Sequence, residues 1–132
     1  MQRWLPAVLF FAFIGWIIID ADLGTKNPFI QFAHSIPYGD KIGHACIYGT
    51  MAILVTVASR FKTWSLAQLP IFYGTSLVLL FALAEEGTQY FFKTRSFDLY
   101  DVLADLIGIS IAALMLTLWR ARTEQQPNHP TN

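Results

Sequence analysis

Glu86-Gly87-Thr88-Gln89-Tyr90-Phe91-Phe92-Lys93-Thr94-Arg95-Ser96-Phe97-Asp98-Leu99-Tyr100-Asp101 carries nearly all the polar chemistry of the second half of this chain. It is wedged between two runs that are otherwise apolar enough to span a membrane. Charged groups so placed are costly, and they are kept for catalysis, for binding or for the architecture of the fold itself.

The rest of the chain frames that stretch. Its 132 residues suit one domain. They are 55% hydrophobic and 14% charged, against roughly 25% charged in soluble domains. The net charge of zero gives no basic footprint for nucleic acid. Cys46 is the one cysteine, which excludes an intramolecular disulfide. Lying in an apolar run, it reads as a small packing residue.

Working outward, Lys93-Thr94-Arg95-Ser96 is long enough only for a tight turn. A fourth apolar segment follows from about Asp98 to Trp119 and is closed by Arg120 and Arg122. Residues 124–132 are polar and Pro-containing, the composition of a disordered tail. Upstream, a third segment starts near Leu69-Pro70 and runs to about Phe92, preceded by a basic connector from Arg60 to Trp64. The second segment, Ile42–Ser59, is opened by Asp40-Lys41, with Asp40 placed to cap it. Ala21 to Gly39 reads as a loop from its Gly24, Asn27-Pro28 and Pro37, with Phe29, Phe32 and Tyr38 available to the membrane interface. The first segment, Trp4–Ile19, is closed by Asp20 and Asp22 and tolerates Pro6 in its first turn. Arg3 and the apolar run imitate a signal peptide, but Asp20-Ala21-Asp22 is no cleavage site, so a retained membrane helix is expected. The fold class expected is an all-α polytopic membrane protein, a bundle of four transmembrane helices with both termini on one side.

The side of the termini holds Arg3, Arg60, Lys62, Arg120 and Arg122; the other holds Lys26, Lys41, Lys93 and Arg95. Counting basic residues favours both termini inside. Trp4, Trp64 and Trp119 line the same basic side as an aromatic belt. Nearly all the acids gather on the opposite, outward side.

On that side three helix ends are expected to meet. Lys41, His44 and Tyr48 share one helical face, with Asp40 beside them. The third helix brings Glu85, Glu86 and Gln89; spacing alone does not choose between the glutamates, since Gln89 shares a face with both. The fourth brings Asp98, Asp101, Asp105 and Gly108 as one stripe, which must face protein or water rather than lipid. Asp40, Glu86, Asp98, Asp101 and Asp105 outnumber Lys41 and Arg95 by three charges. Crowded carboxylates cannot all stay ionised there, so either some are protonated or a cation or cationic ligand balances them.

Each residue also has a plainer reading. Asp98 and Asp101 suit an N-cap and the helix dipole. Arg95 suits an ion pair or a lipid phosphate. His44 suits an interior hydrogen bond, a metal ligand or an acid/base group. A divalent cation on Asp, Glu and His is chemically feasible, but no zinc spacing is present, and no cofactor or metal is expected. No nucleophile pattern of Ser-His-Asp or Cys type occurs. Ala104-xxx-Gly108-xxx-Ala112 and Ala45-xxx-Gly49 are small-xxx-small patterns that favour close helix approach in a membrane.

Together, Asp40-Lys41-Ile42-Gly43-His44, Glu86-Gly87-Thr88-Gln89, Arg95, Asp101 and Gly108 resemble, in order and spacing, the VanZ family of bacterial membrane proteins. Asp98 fits a common variant of that pattern. The match covers roughly residues 38–119, and the four-helix plan of the family covers the rest. Asp105 stands where the family has Asn, removing a neutral amide, and Thr94 stands where it often has Gly. The resemblance selects Glu86 over Glu85. It implies a VanZ-like four-helix membrane domain over residues 1–123, multi-pass in a bacterial inner membrane, and it carries no assigned activity.

Three functions compete. In the first, an outward Asp/Glu/His/Arg pocket binds an anionic, phosphate-bearing lipid or cell-envelope precursor, with Lys41 and Arg95 on the phosphate. In the second, the protein is an enzyme on such a lipid, with His44 and Glu86 as its acid/base pair; Asp40, Lys41, Gln89, Arg95, Asp98, Asp101 and Asp105 then form the surrounding polar network. In the third, it is a structural or accessory subunit in which the cluster pins helix ends. A proton-coupled transporter would require a homo-oligomer of these short helices.

Overall fold

The computed structural model describes residues 2–94 and 96–125. After a 3₁₀ turn at Gln2–Trp4, α1 (Leu5–Asp22) begins with Pro6 in its first turn. It is apolar on every face and buries only Ala7 and Ile14. A helix that is apolar all round yet exposed belongs in a lipid phase. Then come α2 (Pro28–Ser35), α3 (Gly39–Ala58), an antiparallel hairpin of β1 (Thr63–Leu66) and β2 (Leu69–Phe72), α4 (Tyr73–Gln89) and α5 (Leu99–Glu124).

Several boundaries depart from the expectation. The stretch from Ala21 to Gly39 is not all loop, because it contains α2. Asn27 caps this helix by accepting the Phe29 N–H at 2.9 Å, and Pro28 supplies a preset first position. The Asn27 amide also donates to Asp20 Oδ2 at 2.7 Å, which ties α2 to the end of α1.

The end of the basic connector, Thr63 and Trp64, and the expected start of the third segment lie instead in the two strands of the hairpin, paired Thr63 to Phe72 and Leu66 to Leu69. Ala67 and Gln68 make its turn with φ of 49° and 70°. The third helix therefore starts at Tyr73 and stops at Gln89, short of Phe92.

The last helix runs on past Trp119 through Arg120 and Arg122 to Glu124, which was expected in the tail. An Arg120 Nε to Glu124 Oε1 bond of 2.8 Å spans its final turn. Residues 126–132 of the expected tail lie outside the described residues.

Among the described residues, three helices are long and apolar enough to cross a membrane: Gln2–Asp22, Gly39–Ala58 and Leu99–Glu124. The sequence led to an expectation of four. Its third segment yields in α4 a helix of 17 residues, which reaches about 25 Å at 1.5 Å per residue and carries Glu85 and Glu86 near its end.

The central helix is α3, which packs chiefly on α5 and also against α4 and α1. The small residues read from the sequence sit at the α3–α5 crossing. A Cβ built on Gly49 would come within 2.9 Å of the Gly108 carbonyl oxygen, and one on Gly108 would run into the Ala45 carbonyl. Small residues let the two backbones touch where no water is present to drive association. Around this contact Ile14, Tyr48, Met51, Ala52, Val78, Ala82, Ile109 and Ala112 form the core. Cys46 faces outward rather than packing in it.

Candidate functional site

The first turn of α3, the last turns of α4 and the first turns of α5 converge at one end of the bundle. Local chemistry fixes where α5 starts. Asp98 Oδ1 accepts the Tyr100 N–H at 2.9 Å, an N-cap placed after a non-helical Asp98 backbone. Its other oxygen faces Lys41. The Lys41 ammonium lies 2.9 Å from Asp40 Oδ2, 2.7 Å from Asp98 Oδ2 and 2.6 Å from Asp101 Oδ1. The contacts to Asp40 and Asp98 are hydrogen bonds, and the contact to Asp101 is an ion pair. The Lys41 hydrogen bond, with the Tyr100 N–H second, holds the Asp98 carboxyl below its ordinary value.

One turn deeper lies His44, 19% exposed. Its Nδ1 is 2.9 Å from Asp105 Oδ1 and 3.7 Å from Glu86 Oε1, while its Nε2 is 4.0 Å from Asp101 Oδ2. An ionised carboxylate only accepts, so with Asp105 ionised Nδ1 carries the proton and Nε2 presents a lone pair. Glu86 is 1% exposed, and neither of its oxygens has a hydrogen-bond partner. Asp105 Oδ2 is likewise buried without one.

The two glutamates take separate places. Gln89 Nε2 donates to both Glu85 oxygens at 3.2 Å, and Tyr48 Oη donates to Glu85 Oε2 at 3.4 Å. Gln89 thus bonds the glutamate four residues back, and Glu86 turns to His44 instead. The Tyr48 ring stacks on His44 with centroids 6.0 Å apart. Arg95, expected in the cluster, lies outside the described residues.

A cavity of about 510 Å³ opens on this cluster. One wall is polar and includes Lys41, His44, Glu85, Gln89, Asp98 and Asp101. The lining also includes the apolar Ile14, Ile17 and Ile18 of α1 and Phe29 and Ile30 of α2, together with His34 of α2. Glu86 and Asp105 are not among its lining residues and lie behind the polar wall. The sequence places Tyr48 and Glu85 at the converging helix ends without giving them a role in the site, and it does not reveal the apolar lining. The spacing signal for Tyr48 is its place one turn after His44, and that for Glu85 is its place one turn before Gln89. Where a metal ion is concerned, one donor atom from each of His44, Glu86 and Asp101 lies within 4.8 Å of the others.

An uncharacterized protein of the fission yeast Schizosaccharomyces pombe is 31% identical over 131 residues, covering 89% of this chain and 73% of that protein. No solved structure matches the chain. The VanZ/LLP1 family model matches residues 4–120. That span takes in α1 to α4, the hairpin, nearly all of α5 and the whole polar cluster, and the chain belongs to the VanZ/LLP1 family.

Proposed function

We propose that this protein is a multi-pass membrane protein whose acidic end binds the head of a phosphate-bearing membrane lipid or lipid-linked envelope precursor. In this reading α4, extended by β2, serves as a short fourth crossing, both termini stand on the basic cytoplasmic side, and the cluster faces outward. The bacterial inner membrane is the setting the motif resemblance suggests; the fission-yeast relative means that family membership alone does not carry it.

The observation that supports the reading best is the amphipathic cavity. Its lining joins the alkyl side chains of Ile14, Ile17 and Ile18 to carboxylates, an imidazole and an amide. An apolar pocket with a few convergent polar groups suits an amphipathic ligand. Lys41 is an unsuitable phosphate ligand on its own, because the carboxylates of Asp40, Asp98 and Asp101 already surround its ammonium. A phosphate here needs a counter-cation, and the apolar wall then supplies much of the affinity.

Native mass spectrometry of the detergent-purified protein tests this. The wild type is expected to retain phospholipid-mass adducts, and Ile17→Trp, which fills the apolar wall, is expected to lose them. Equal retention by a folded Ile17→Trp variant overturns the reading.

A second reading, catalysis on such a lipid, is favoured by one observation: a buried, unpartnered Glu86 beside a His44 oriented by Asp105. Under it, His44→Gln abolishes turnover while lipid adducts remain. Under a purely structural role, the same change moves thermal stability and leaves the adducts unaltered.

A further inference from the structure

We propose that His44, Glu86 and Asp101 form a binding site for one divalent first-row transition-metal ion at the floor of the cavity. The site does not depend on the lipid reading.

Three features converge. The first is geometry. One donor atom from each residue lies within 4.8 Å of the others, and His44 Nε2 and Asp101 Oδ2 are 4.0 Å apart. Nitrogen and oxygen ligands about 2.1 Å from a tetrahedral ion stand about 3.4 Å from each other. Small rotations of side chains that already face one another close the difference.

The second feature is an unmet need. Glu86 is 1% exposed, and both carboxylate oxygens lack a hydrogen-bond donor. A buried carboxylate without donors is among the costliest arrangements a protein can hold, and the common solutions are an ion pair or a metal. Lys41 does not meet the need, since it is committed to Asp40, Asp98 and Asp101.

The third is the support around the donors. Asp105 Oδ1 stands 2.9 Å from His44 Nδ1, and when Asp105 is ionised it accepts the Nδ1–H and leaves the Nε2 lone pair on the side of Asp101. A carboxylate behind a ligating histidine is the usual orienting device at metal sites. Asp101 is held similarly: Oδ1 stays on Lys41 at 2.6 Å while Oδ2 points to His44.

The donor set of one imidazole nitrogen and carboxylate oxygens suits Zn²⁺ or Mn²⁺ better than a thiolate-seeking ion or an all-oxygen Ca²⁺ site. His44 and Asp101 line the cavity, so the ion has an entry path.

The test uses the full chain in detergent, stripped with EDTA and titrated with Mn²⁺ while free Mn²⁺ is read by EPR. One Mn²⁺ per chain is expected, displaced by Zn²⁺, with ¹⁴N coupling from a single imidazole in the electron spin echo spectrum. Glu86→Gln and His44→Gln are expected to weaken binding at least tenfold, and His44→Gln to remove the ¹⁴N coupling. His34→Gln, which changes the other histidine lining the cavity, and Glu124→Gln at the opposite end are expected to bind as the wild type does. The proposal is overturned if the folded wild type shows no saturable Mn²⁺ or Zn²⁺ binding, or if folded Glu86→Gln and His44→Gln bind like the wild type. Should those variants not fold, the wild type and His34→Gln decide: a bound Mn²⁺ without ¹⁴N coupling in either protein also overturns it.

Discussion

Lys41 Nζ stands 2.6 Å from Asp101 Oδ1, and through this contact the first turn of α3 is held to the first turn of α5. Asp101 is 13% exposed and Lys41 24%, so the pair is screened much less than a surface bridge. Removing the ammonium strands a nearly buried carboxylate and frees two more exposed ones. Breaking a buried pair costs about 3–5 kcal/mol, and exposed partners such as Asp40 and Asp98 add little. Lys41→Met is therefore expected to lose about 2–4 kcal/mol, read as a drop in thermal midpoint in detergent. Lys41→Arg should recover part of it. An unchanged midpoint in Lys41→Met would mean that the cluster does not hold the helix ends together.

The α3–α5 crossing makes a different prediction. A side chain at position 108 meets the Ala45 backbone carbonyl, which has no rotamer with which to yield. Overpacking of this kind costs about 1–3 kcal/mol. Gly108→Ala should lower stability by that amount, and Gly108→Leu should prevent the helices from docking. Gly15 on α1 has no atom within 4 Å of a built Cβ, and Ala there removes glycine's helix penalty of about 1 kcal/mol. Thermal melts of Gly15→Ala and Gly108→Ala should thus move in opposite directions, and parallel shifts would count against the crossing.

How far the chain could be read in advance depended on whether the signal was periodic. Ala45, Gly49, Ala104, Gly108 and Ala112 recur at four-residue intervals, and a close helix contact was legible from that alone. The hairpin was not, because Ala67 and Gln68 adopt positive φ without being the Asn or Gly that announces such a turn. Helix α2 carried a signal in Asn27-Pro28, but its eight residues were too few for a periodic pattern to stand out among the loop residues. Spacing left Glu85 and Glu86 undivided, since positions three and four residues before Gln89 both face it. The apolar cavity wall was hidden for another reason. Ile14, Ile17 and Ile18 have the same side chain as the exposed Ile19, and only the fold separates them.

Asp98 predicts a pH dependence whose sign follows from its partner. The Lys41 ammonium holds its carboxyl below the ordinary 3.8. A carboxylate depressed in the folded state contributes stability above its unfolded value, and that contribution is lost as pH falls through the folded one. Asn caps helices about as well as Asp, so Asp98→Asn removes the charge and keeps the cap. The wild type should melt at higher temperature than Asp98→Asn near neutral pH, and the gap should close as pH falls below about 4. A gap that is constant with pH would assign the residue to capping alone.

Asp105 offers the sharpest test of the inner layer, because the family pattern has Asn where this chain has Asp. The carboxylate uses Oδ1 on His44 and leaves Oδ2 buried without a donor. Asn at 105 can still accept the Nδ1–H through its carbonyl oxygen. Its amide places a donor where the unpartnered oxygen stood, among the acidic groups Glu86 and Asp101, and it removes one buried charge. Asp105→Asn should therefore be as stable as the wild type or more so. Asp105→Leu is isosteric but strands the imidazole N–H, and an unsatisfied buried donor costs about 1–3 kcal/mol. ¹⁵N chemical shifts of His44 should show the Nδ1–H tautomer retained in Asp105→Asn and lost in Asp105→Leu. If both variants lose stability equally, the negative charge at 105 is itself required for the packing of the cluster.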